Sequence, residues 1–162
     1  MRVTDKYVFF WGGIYSQWYK ANMQIDGVNY NCCEQYMMHQ KALLFGDTET
    51  AKEILEEKNP KTQKELGRKV SGFDKGKWDK SCFSIVYKGN LAKFTQNESL
   101  KAELIQTGSR VLVEASPFDT VWGVGLGEEE SKVDSPSTWQ GTNLLGFVLT
   151  TVRGEIISSY IL

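Results

Sequence analysis

The segment Glu34-Gln-Tyr-Met-Met-His-Gln-Lys41 has the pattern of a helix that carries two charges on its apolar side. At about 100° per residue, seven positions return the helix to nearly the same direction, so Glu34 and Lys41 project together. Four apolar residues flank them on this arc: Met37, Met38, Leu44 and Phe45. Because burying an unpaired charge is costly, a surface glutamate and lysine normally lie on the polar side. The segment suggests an active site, with rim positions or a structural ion pair as the alternative.

The length and charge of the chain limit what this helix belongs to. A chain of 162 residues fits one domain with a sizeable core. The net charge of −1 argues against a broad nucleic-acid surface, which needs an excess of cations. It leaves room for a small positive pocket that holds one nucleotide or one modified base. The aromatic residues, 12% of the chain, suit a core, a base-stacking pocket or both.

The cysteines and the single histidine indicate the cellular compartment and argue against a metal site. Cys32, Cys33 and Cys82 show no disulfide spacing, which is typical of a reducing cytoplasm. The adjacent pair lacks the C-x-x-C spacing of zinc sites, so we expect no structural metal and no cofactor. We also find no signal pattern and no long apolar run, and we expect a soluble cytoplasmic protein without membrane contact.

The order of predicted elements indicates an α+β fold. We predict strands at 7–11 and 111–115 and a hairpin across 23–30 that turns at Asp26-Gly27. Residues 117–137 read as a long functional loop, followed by a helix over about 143–157. Four further helices are predicted from their caps, at Asn31, at Asp47 or Thr48, from Asn59-Pro60 through Val70, and from Asn97 to Gln106. Another helix, from about Asp74 to Phe94, is predicted from the helical spacing of its apolar residues. The expectation is a single compact, helix-rich domain over 1–162 with a small antiparallel sheet.

Familiar catalytic motifs are absent from the sequence. We find no nucleophile-elbow serine and no Walker loop, and Gly123-Val-Gly125-Leu-Gly127 resembles a phosphate loop only superficially. The lone His39 lies off the apolar stripe, which favours a solvated or structural role. Arg68 at a helix end could bind a phosphate or complement the helix dipole.

Two further acids lie in positions that could serve a site. Glu114 ends an apolar strand, so its side chain could point into a pocket or to water. Asp119 shortly precedes Trp122-Gly123, and a carboxylate beside an aromatic ring suits a planar base or a sugar. The alternative for Asp119 is a turn-forming aspartate after Pro117.

Taken in order, these motifs match one family. The matching stretches are Tyr30-Asn-Cys-Cys-Glu34-Gln-Tyr36, Gln40-Lys41-Ala42, Leu66-Gly67-Arg68, Phe73-Asp74…Trp78, Lys93-Phe94-Thr-Gln96-Asn97, Leu112-Val-Glu114-Ala-Ser116, Asp119…Trp122-Gly123 and Trp139-Gln-Gly141-Thr-Asn143. In their order and spacing the chain resembles the NADAR superfamily, the YbiA-like N-glycosidases. One segment departs from the family, because Ser16-Gln17-Trp18 stands where members commonly have a Ser-Asn-Phe-like run.

The resemblance implies a metal-independent hydrolase that cleaves ribosyl N-glycosidic bonds. The first substrate class that it implies is ADP-ribose attached to guanine, in a nucleoside or in modified DNA. The second is the phosphoribosylamino-pyrimidine intermediates of riboflavin synthesis. A non-catalytic module that binds ADP-ribose or another nucleotide is the alternative outside enzymes.

The same resemblance, with the chemistry of the residues, gives expected roles. Glu34 and Asp119 manage protons and ribose contacts, and Lys41 forms a Schiff base with the sugar. Trp122 stacks on the base or walls the ribose, and Arg68 holds a phosphate. Further substrate contacts are expected from Ser16, Trp18, Tyr36, Trp78, Glu114, Gly123 and Asn143.

Overall fold

Gln17–Asn97 forms one unit of the fold, and Met1–Ser16 forms a second together with the chain from Glu98 onward. The computed structural model describes residues 1–161. Helices and small sheets together make an α+β protein, which confirms the predicted fold class. Within the described residues, no helix is long and apolar enough to cross a membrane.

The unit Gln17–Asn97 contains a hairpin and four helices. The hairpin strands are β3 (Met23–Ile25) and β4 (Val28–Tyr30). Asp26 and Gly27 have φ angles of 52° and 81°, the left-handed pair that a tight two-residue turn requires, so the predicted hairpin is confirmed. The helices are α1 (Cys33–Leu44), α2 (Thr48–Glu56), α3 (Pro60–Arg68) and α4 (Lys75–Thr95).

Helix α1 is central to this unit, since it packs against α2, α3 and α4. Its residues are therefore buried on several sides, including polar ones that the sequence placed off the apolar stripe. Gln35 illustrates how such a position is satisfied, because its Nε2 donates to the carbonyl oxygen of Ile54 at 3.0 Å.

Side-chain caps start three of the helices. Asp47 accepts from the Thr50 amide and Asn59 from the Lys61 amide, both at predicted cap positions. Asp74, predicted only as the approximate start of α4, accepts from the Lys77 amide. Two predicted helix limits in this unit are wrong.

The first wrong limit is the predicted cap of α1. Asn31 does not cap it, because Cys32 occupies that position and the Asn31 side chain donates to the carbonyl oxygen of Lys58 at 2.9 Å. The second is the end of α3. Val70 lies outside this helix, which ends at Arg68. The next amide, that of Lys69, donates to the Leu66 carbonyl oxygen.

The second unit is built on a three-stranded sheet in the order β1–β2–β5, with β1 (Arg2–Val3), β2 (Tyr7–Phe10) and β5 (Val111–Glu114). Strands β1 and β2 are antiparallel, but β2 and β5 are parallel, with Tyr7 opposite Val111 and Phe10 opposite Glu114. The predicted small antiparallel sheet is present in the β3–β4 hairpin and in the β1–β2 pair, whereas the parallel pairing of β2 with β5 was not predicted. A parallel pair needs a long crossover, and the chain between β2 and β5 supplies one.

Two helices complete this unit: α5 (Glu98–Gln106) and α6 (Leu144–Ser159). Helix α6 packs against β5, and the core is a cluster that includes Phe9, Val113 and Val124. The predicted loop at 117–137 is confirmed, with short 3-10 turns at Ser131–Asp134 and Pro136–Thr138.

Candidate active site

Glu34 and Lys41 act on each other electrostatically along α1, as their spacing predicts. Glu34 is buried in the first turn, and Lys41 is half-buried in the last turn. Burial lowers the pKa of the Lys41 ammonium, and the nearby Arg68 charge lowers it further, while the Glu34 carboxylate opposes both. An amine in this setting is deprotonated more readily than an ordinary lysine.

Two aromatic rings surround the Lys41 amine. Its Nζ lies 4.8 Å from the ring centroid of Phe73 and 5.6 Å from that of Trp78. Trp78 is in the first turn of α4, and Phe73 lies in the connection before it. The sequence predicted an apolar setting from methionine and leucine neighbours on α1. The contact with Phe73 was missed, because helical periodicity carries no information about where a connection runs.

Arg68 is placed near this amine by the close approach of two helices. A Cβ built at Gly67 would overlap the Met38 sulfur and lie 2.9 Å from its Cγ. Glycine at this position therefore lets α3 lie directly against α1. Arg68 follows as the last residue of α3, with its side chain exposed, so its charge is available both to Lys41 and to an anionic ligand.

Lys93 is a buried lysine to which the sequence assigned no role. It lies on α4 with 0% of its surface exposed, and its Nζ is 5.5 Å from the ring centroid of Tyr19. Burial lowers its pKa, and the neighbouring Cys33 and Cys32 oppose this. A signal was present, because Lys93 belongs to a buried stripe at helical spacing, the pattern that identified Lys41.

The thiols beside Lys93 are neutral. Burial raises the pKa of Cys32 to about 11 and that of Cys33 to about 12. Glu34 and Lys93 both act electrostatically on each of these thiols, so the buried carboxylate and the buried amine share one small region of the unit.

Gln17, the residue that departs from the family pattern, links two elements of this unit. Its Oε1 accepts from Asn90 Nδ2 at 2.8 Å, and its carbonyl oxygen accepts from the Glu34 amide at 2.9 Å. Asn90 is fully buried and also donates to the carbonyl oxygen of Val86 at 2.9 Å. Gln17 thus joins the first turn of α1, through its carbonyl oxygen, to α4, through its side-chain amide.

Tyr36 and His39 pack inside the unit. The Tyr36 ring meets Tyr30 edge-on at 5.0 Å, and a Cβ at Gly89 would come within 2.9 Å of it. His39 is buried, and its Nδ1 lies 2.8 Å from the Tyr30 hydroxyl oxygen. Of the two roles expected for His39, solvated or structural, its burial and its contact with Tyr30 fit the structural one. A substrate contact by Tyr36 stays a prediction, and its burial indicates a packing role.

Trp18 is an exposed ring of the same unit. It is 43% exposed, and Lys64 Nζ lies 6.0 Å from its ring centroid. An exposed ring beside a cation is available to a ligand, and the substrate contact predicted for Trp18 remains a prediction.

Asp119 shapes a turn in the other unit. Its Oδ1 accepts from the Val121 amide at 2.9 Å and from the Trp122 amide at 2.8 Å. These bonds fit the turn-forming alternative, while a catalytic role stays a prediction. Gly123 is required by packing, because a Cβ there would lie 2.9 Å from the carbonyl oxygens of Glu114 and Asp119.

Asn143 ties the start of α6 to β5. It is buried with φ 53°, accepts from the Glu114 amide at 3.0 Å and donates to the Leu112 carbonyl oxygen at 3.0 Å. Glu114 is half-buried at the end of β5. Ser16 is also half-buried, and its backbone amide donates a hydrogen bond to the Gly13 carbonyl oxygen at 3.0 Å. Their substrate contacts also stay predictions.

The predicted residues fall into two groups, one in each unit. Gln17–Asn97 contains Trp18, Glu34, Tyr36, Lys41, Arg68 and Trp78. The other unit contains Ser16, Glu114, Asp119, Trp122, Gly123 and Asn143. A search over the described residues finds no group of three or more His, Cys, Asp or Glu side chains arranged to hold a metal ion.

Comparison with known proteins defines the class of this chain. Residues 9–157 match the NADAR domain model, so the chain belongs to the NADAR domain family. The resemblance inferred from the motifs is confirmed.

The similar proteins include one of high identity. The chain is 44% identical to an N-glycosidase of Acanthamoeba polyphaga mimivirus over 165 residues, covering 94% of this chain and 97% of that protein. It is 31% identical over 121 residues to the chloroplastic riboflavin biosynthesis protein PYRR of Zea mays, covering 70% of this chain and 18% of that protein. The NMR structure of the E. coli protein YbiA matches with a TM-score of 0.81 at 25% identity, covering 99% of this chain and 90% of that one.

Proposed function

We propose that this protein is an N-glycosidase that removes ADP-ribose from guanine, in a nucleoside or in DNA. Membership of the NADAR family and high identity to a viral protein named an N-glycosidase support the enzyme class, a hydrolase of N-glycosyl compounds. Fold alone would not support an activity. The choice of substrate and the mechanism come from the family resemblance and from the chemistry around Lys41.

The observation that carries the mechanism is the setting of the Lys41 amine. Nucleophilic lysines need a lowered pKa, and here burial and the Arg68 charge both lower it. The amine is half-buried, so a substrate can reach it. Lys93 also has a lowered pKa, but it is fully buried and cannot meet a sugar without a rearrangement. Lys41 is therefore the nucleophile that we assign.

The proposed reaction passes through an imine between Lys41 and the sugar. The electron pair of the base nitrogen opens the ribose ring at C1′, and the ring oxygen takes a proton. The neutral Lys41 amine then adds to C1′, and the bond to the base breaks as the base nitrogen takes a proton and leaves. Water adds to the resulting imine, the bond to Lys41 breaks, and ADP-ribose departs with the amine restored.

Glu34 supplies and accepts the protons of these steps in this proposal. It is buried in the same unit and acts electrostatically on Lys41. An aligned acid or base of this kind contributes about 10²–10⁴-fold in rate, so we expect Glu34→Gln to lower kcat by that order. Arg68, exposed at the end of α3, would hold a phosphate of the ADP-ribose.

A second substrate class has a specific observation in its favour. The maize relative is named a riboflavin biosynthesis protein, which fits hydrolysis of phosphoribosylamino-pyrimidine intermediates. The same amine and carboxylate would serve that reaction, because the bond that breaks is also between ribose C1′ and nitrogen. The two classes differ in the leaving base and in the number of phosphates.

Turnover followed by mass spectrometry tests the proposal. Wild type and Lys41→Ala are compared on ADP-ribosylated guanosine and on a phosphoribosylamino-pyrimidine, with Lys52→Ala, an exposed lysine of α2, as the matched control. We expect release of ADP-ribose that Lys41→Ala abolishes and Lys52→Ala preserves. Borohydride should trap a sugar adduct on wild type and on Lys52→Ala but not on Lys41→Ala.

Three other results would each contradict a part of the proposal. Full activity of Lys41→Ala would remove the imine mechanism. Release of ribose phosphate alone would transfer the assignment to the riboflavin intermediates. Binding of ADP-ribose with no turnover of either substrate would leave the non-catalytic module.

A further inference from the structure

The parallel pairing of β2 and β5 brings two exposed aromatic residues to one edge of the sheet. Phe10 and Glu114, the last residues of these strands, are register partners. Trp11 directly follows β2, and Phe118 lies shortly after β5. In sheets with parallel strands, ligands bind beyond the carboxyl ends, where the following loops meet.

The two rings form a pair that is open to solvent. Trp11 is 58% exposed and Phe118 is 81% exposed, and their ring centroids lie 5.7 Å apart with planes inclined at 58°. Scattered exposed apolar residues are common, but adjacent exposed aromatic rings indicate a surface used for binding. The chain after Trp11 is also open, because a Cβ at Gly12 or Gly13 would meet nothing within 4 Å.

The loop that carries Phe118 is fixed by hydrogen bonds. Ser116 Oγ accepts from the amides of Phe118 at 3.3 Å and Asp119 at 3.2 Å. Farther along, the Gly125 amide donates to the Asp119 carbonyl oxygen at 3.1 Å. These bonds fix the backbone on which Phe118 is exposed.

The charges of these loops select the ligand class. Residues 11–16 and 115–123 contain no lysine or arginine, so they offer no cation to a phosphate. Asp119, which follows Phe118, adds a carboxylate whose Oδ1 accepts from two backbone amides and whose second oxygen, Oδ2, complements an N–H donor. An uncharged planar ring with N–H groups on its edge fits this arrangement, and that describes a nucleobase. A protein partner would need more apolar area than these few side chains provide.

We propose that Trp11 and Phe118 form a stacking site for an unpaired nucleobase. The proposal goes beyond the proposed function, because the stacking belongs to the unit that contains both rings and can be measured without turnover. The base can come from a free nucleoside or from a single strand of nucleic acid, since both present the same ring.

Calorimetric titration with guanosine and with a five-nucleotide single strand containing one guanine tests the site. We expect Trp11→Ala and Phe118→Ala each to weaken binding by about 5- to 150-fold. Trp11→Phe, which keeps a ring, should restore most of the affinity. Phe147→Ala, which removes a 56% exposed ring from α6 of the same unit, is the control and should bind as wild type does.

The outcomes separate this proposal from the proposed function. Wild type that binds guanosine through Trp11 and Phe118 yet fails to turn over ADP-ribosylated guanosine would keep the stacking site and reject the activity. Turnover with unchanged KM in both alanine variants, together with unchanged binding, would reject the stacking site and keep the activity. Self-association of wild type that Trp11→Ala abolishes would assign the rings to a second copy of the chain and overturn the proposal. Loss of affinity for the single strand alone would identify nucleic acid as the source of the base.

Discussion

Gly67→Ala tests whether the contact between α1 and α3 is as close as the structure has it. The added Cβ would overlap the Met38 sulfur. Forcing a methyl group into a packed contact costs about 1–3 kcal/mol, while alanine gains about 1 kcal/mol over glycine inside a helix. The net expectation is a loss of up to about 2 kcal/mol in the free energy of unfolding.

Gly154→Ala is the matched control for this prediction. Gly154 lies inside α6, and a Cβ there would meet nothing within 4 Å. Only the helix-propensity term applies, so we expect a gain of about 0.5–1 kcal/mol. Urea denaturation followed by circular dichroism measures both variants. The steric argument is refuted if Gly67→Ala is stabilised as much as Gly154→Ala.

A double-mutant cycle identifies the partner of the clash. Met38→Ala removes the sulfur that the new methyl group would strike, so its combination with Gly67→Ala should cost less than the sum of the two single changes. Strict additivity would place the strain elsewhere. Because Arg68 is the next residue, Gly67→Ala should also alter the pH dependence of turnover through Lys41.

Three further predictions concern charge and hydrogen bonding. Since only the neutral Lys41 amine attacks, kcat/KM should rise as the pH passes through the lowered pKa of Lys41. Arg68→Gln removes a charge that lowers this pKa, so the rise should move to higher pH. An unmoved pH profile would contradict the role of Lys41. Because folding lowers the pKa of Lys93, the unfolded chain binds more protons between that lowered pKa and about 10.4, so stability should increase with pH in this window. Urea denaturation at several pH values should give a more positive change of stability with pH in wild type than in Lys93→Met, because Lys41 and the buried thiols titrate in the same window in both proteins. Asn143→Ala removes two hydrogen bonds to β5 and should lower the free energy of unfolding by about 1–3 kcal/mol, measured by thermal denaturation. A loss below about 0.5 kcal/mol would show that the Asn143 amide does not stabilise the contact of α6 with β5.

Local chemistry made much of the unit Gln17–Asn97 predictable. The Asp26-Gly27 turn and the caps at Asp47 and Asn59 depend on residues a few positions apart, and the sequence indicated all three, with Thr48 as the alternative to Asp47. The proximity of Glu34 and Lys41 also follows from helical spacing alone. These features need no knowledge of the rest of the chain.

Features that depend on distant parts of the chain were not predictable. The parallel pairing of β2 and β5 joins strands with most of the sequence between them. The contact of Phe73 with Lys41 depends on the path of a connection, and the full burial of Lys93 depends on elements that pack against α4. A single sequence encodes such contacts only through the complete fold.

The order of the two units along the chain has a consequence for folding during synthesis. Strand β2 is synthesised about a hundred residues before its parallel partner β5. Closing so long a loop is slow and entropically costly. Two hydrogen bonds link the two ends of the unit Gln17–Asn97. The Gln24 amide donates to Gln96 Oε1, and Gln96 Nε2 donates to the Gln24 carbonyl oxygen, each at 2.8 Å. We therefore expect this inserted unit to fold first on the ribosome and shorten the loop that β2 and β5 must close. Pulsed hydrogen exchange during refolding should show protection in α1 and α4 before β5, and the reverse order would refute this sequence of events.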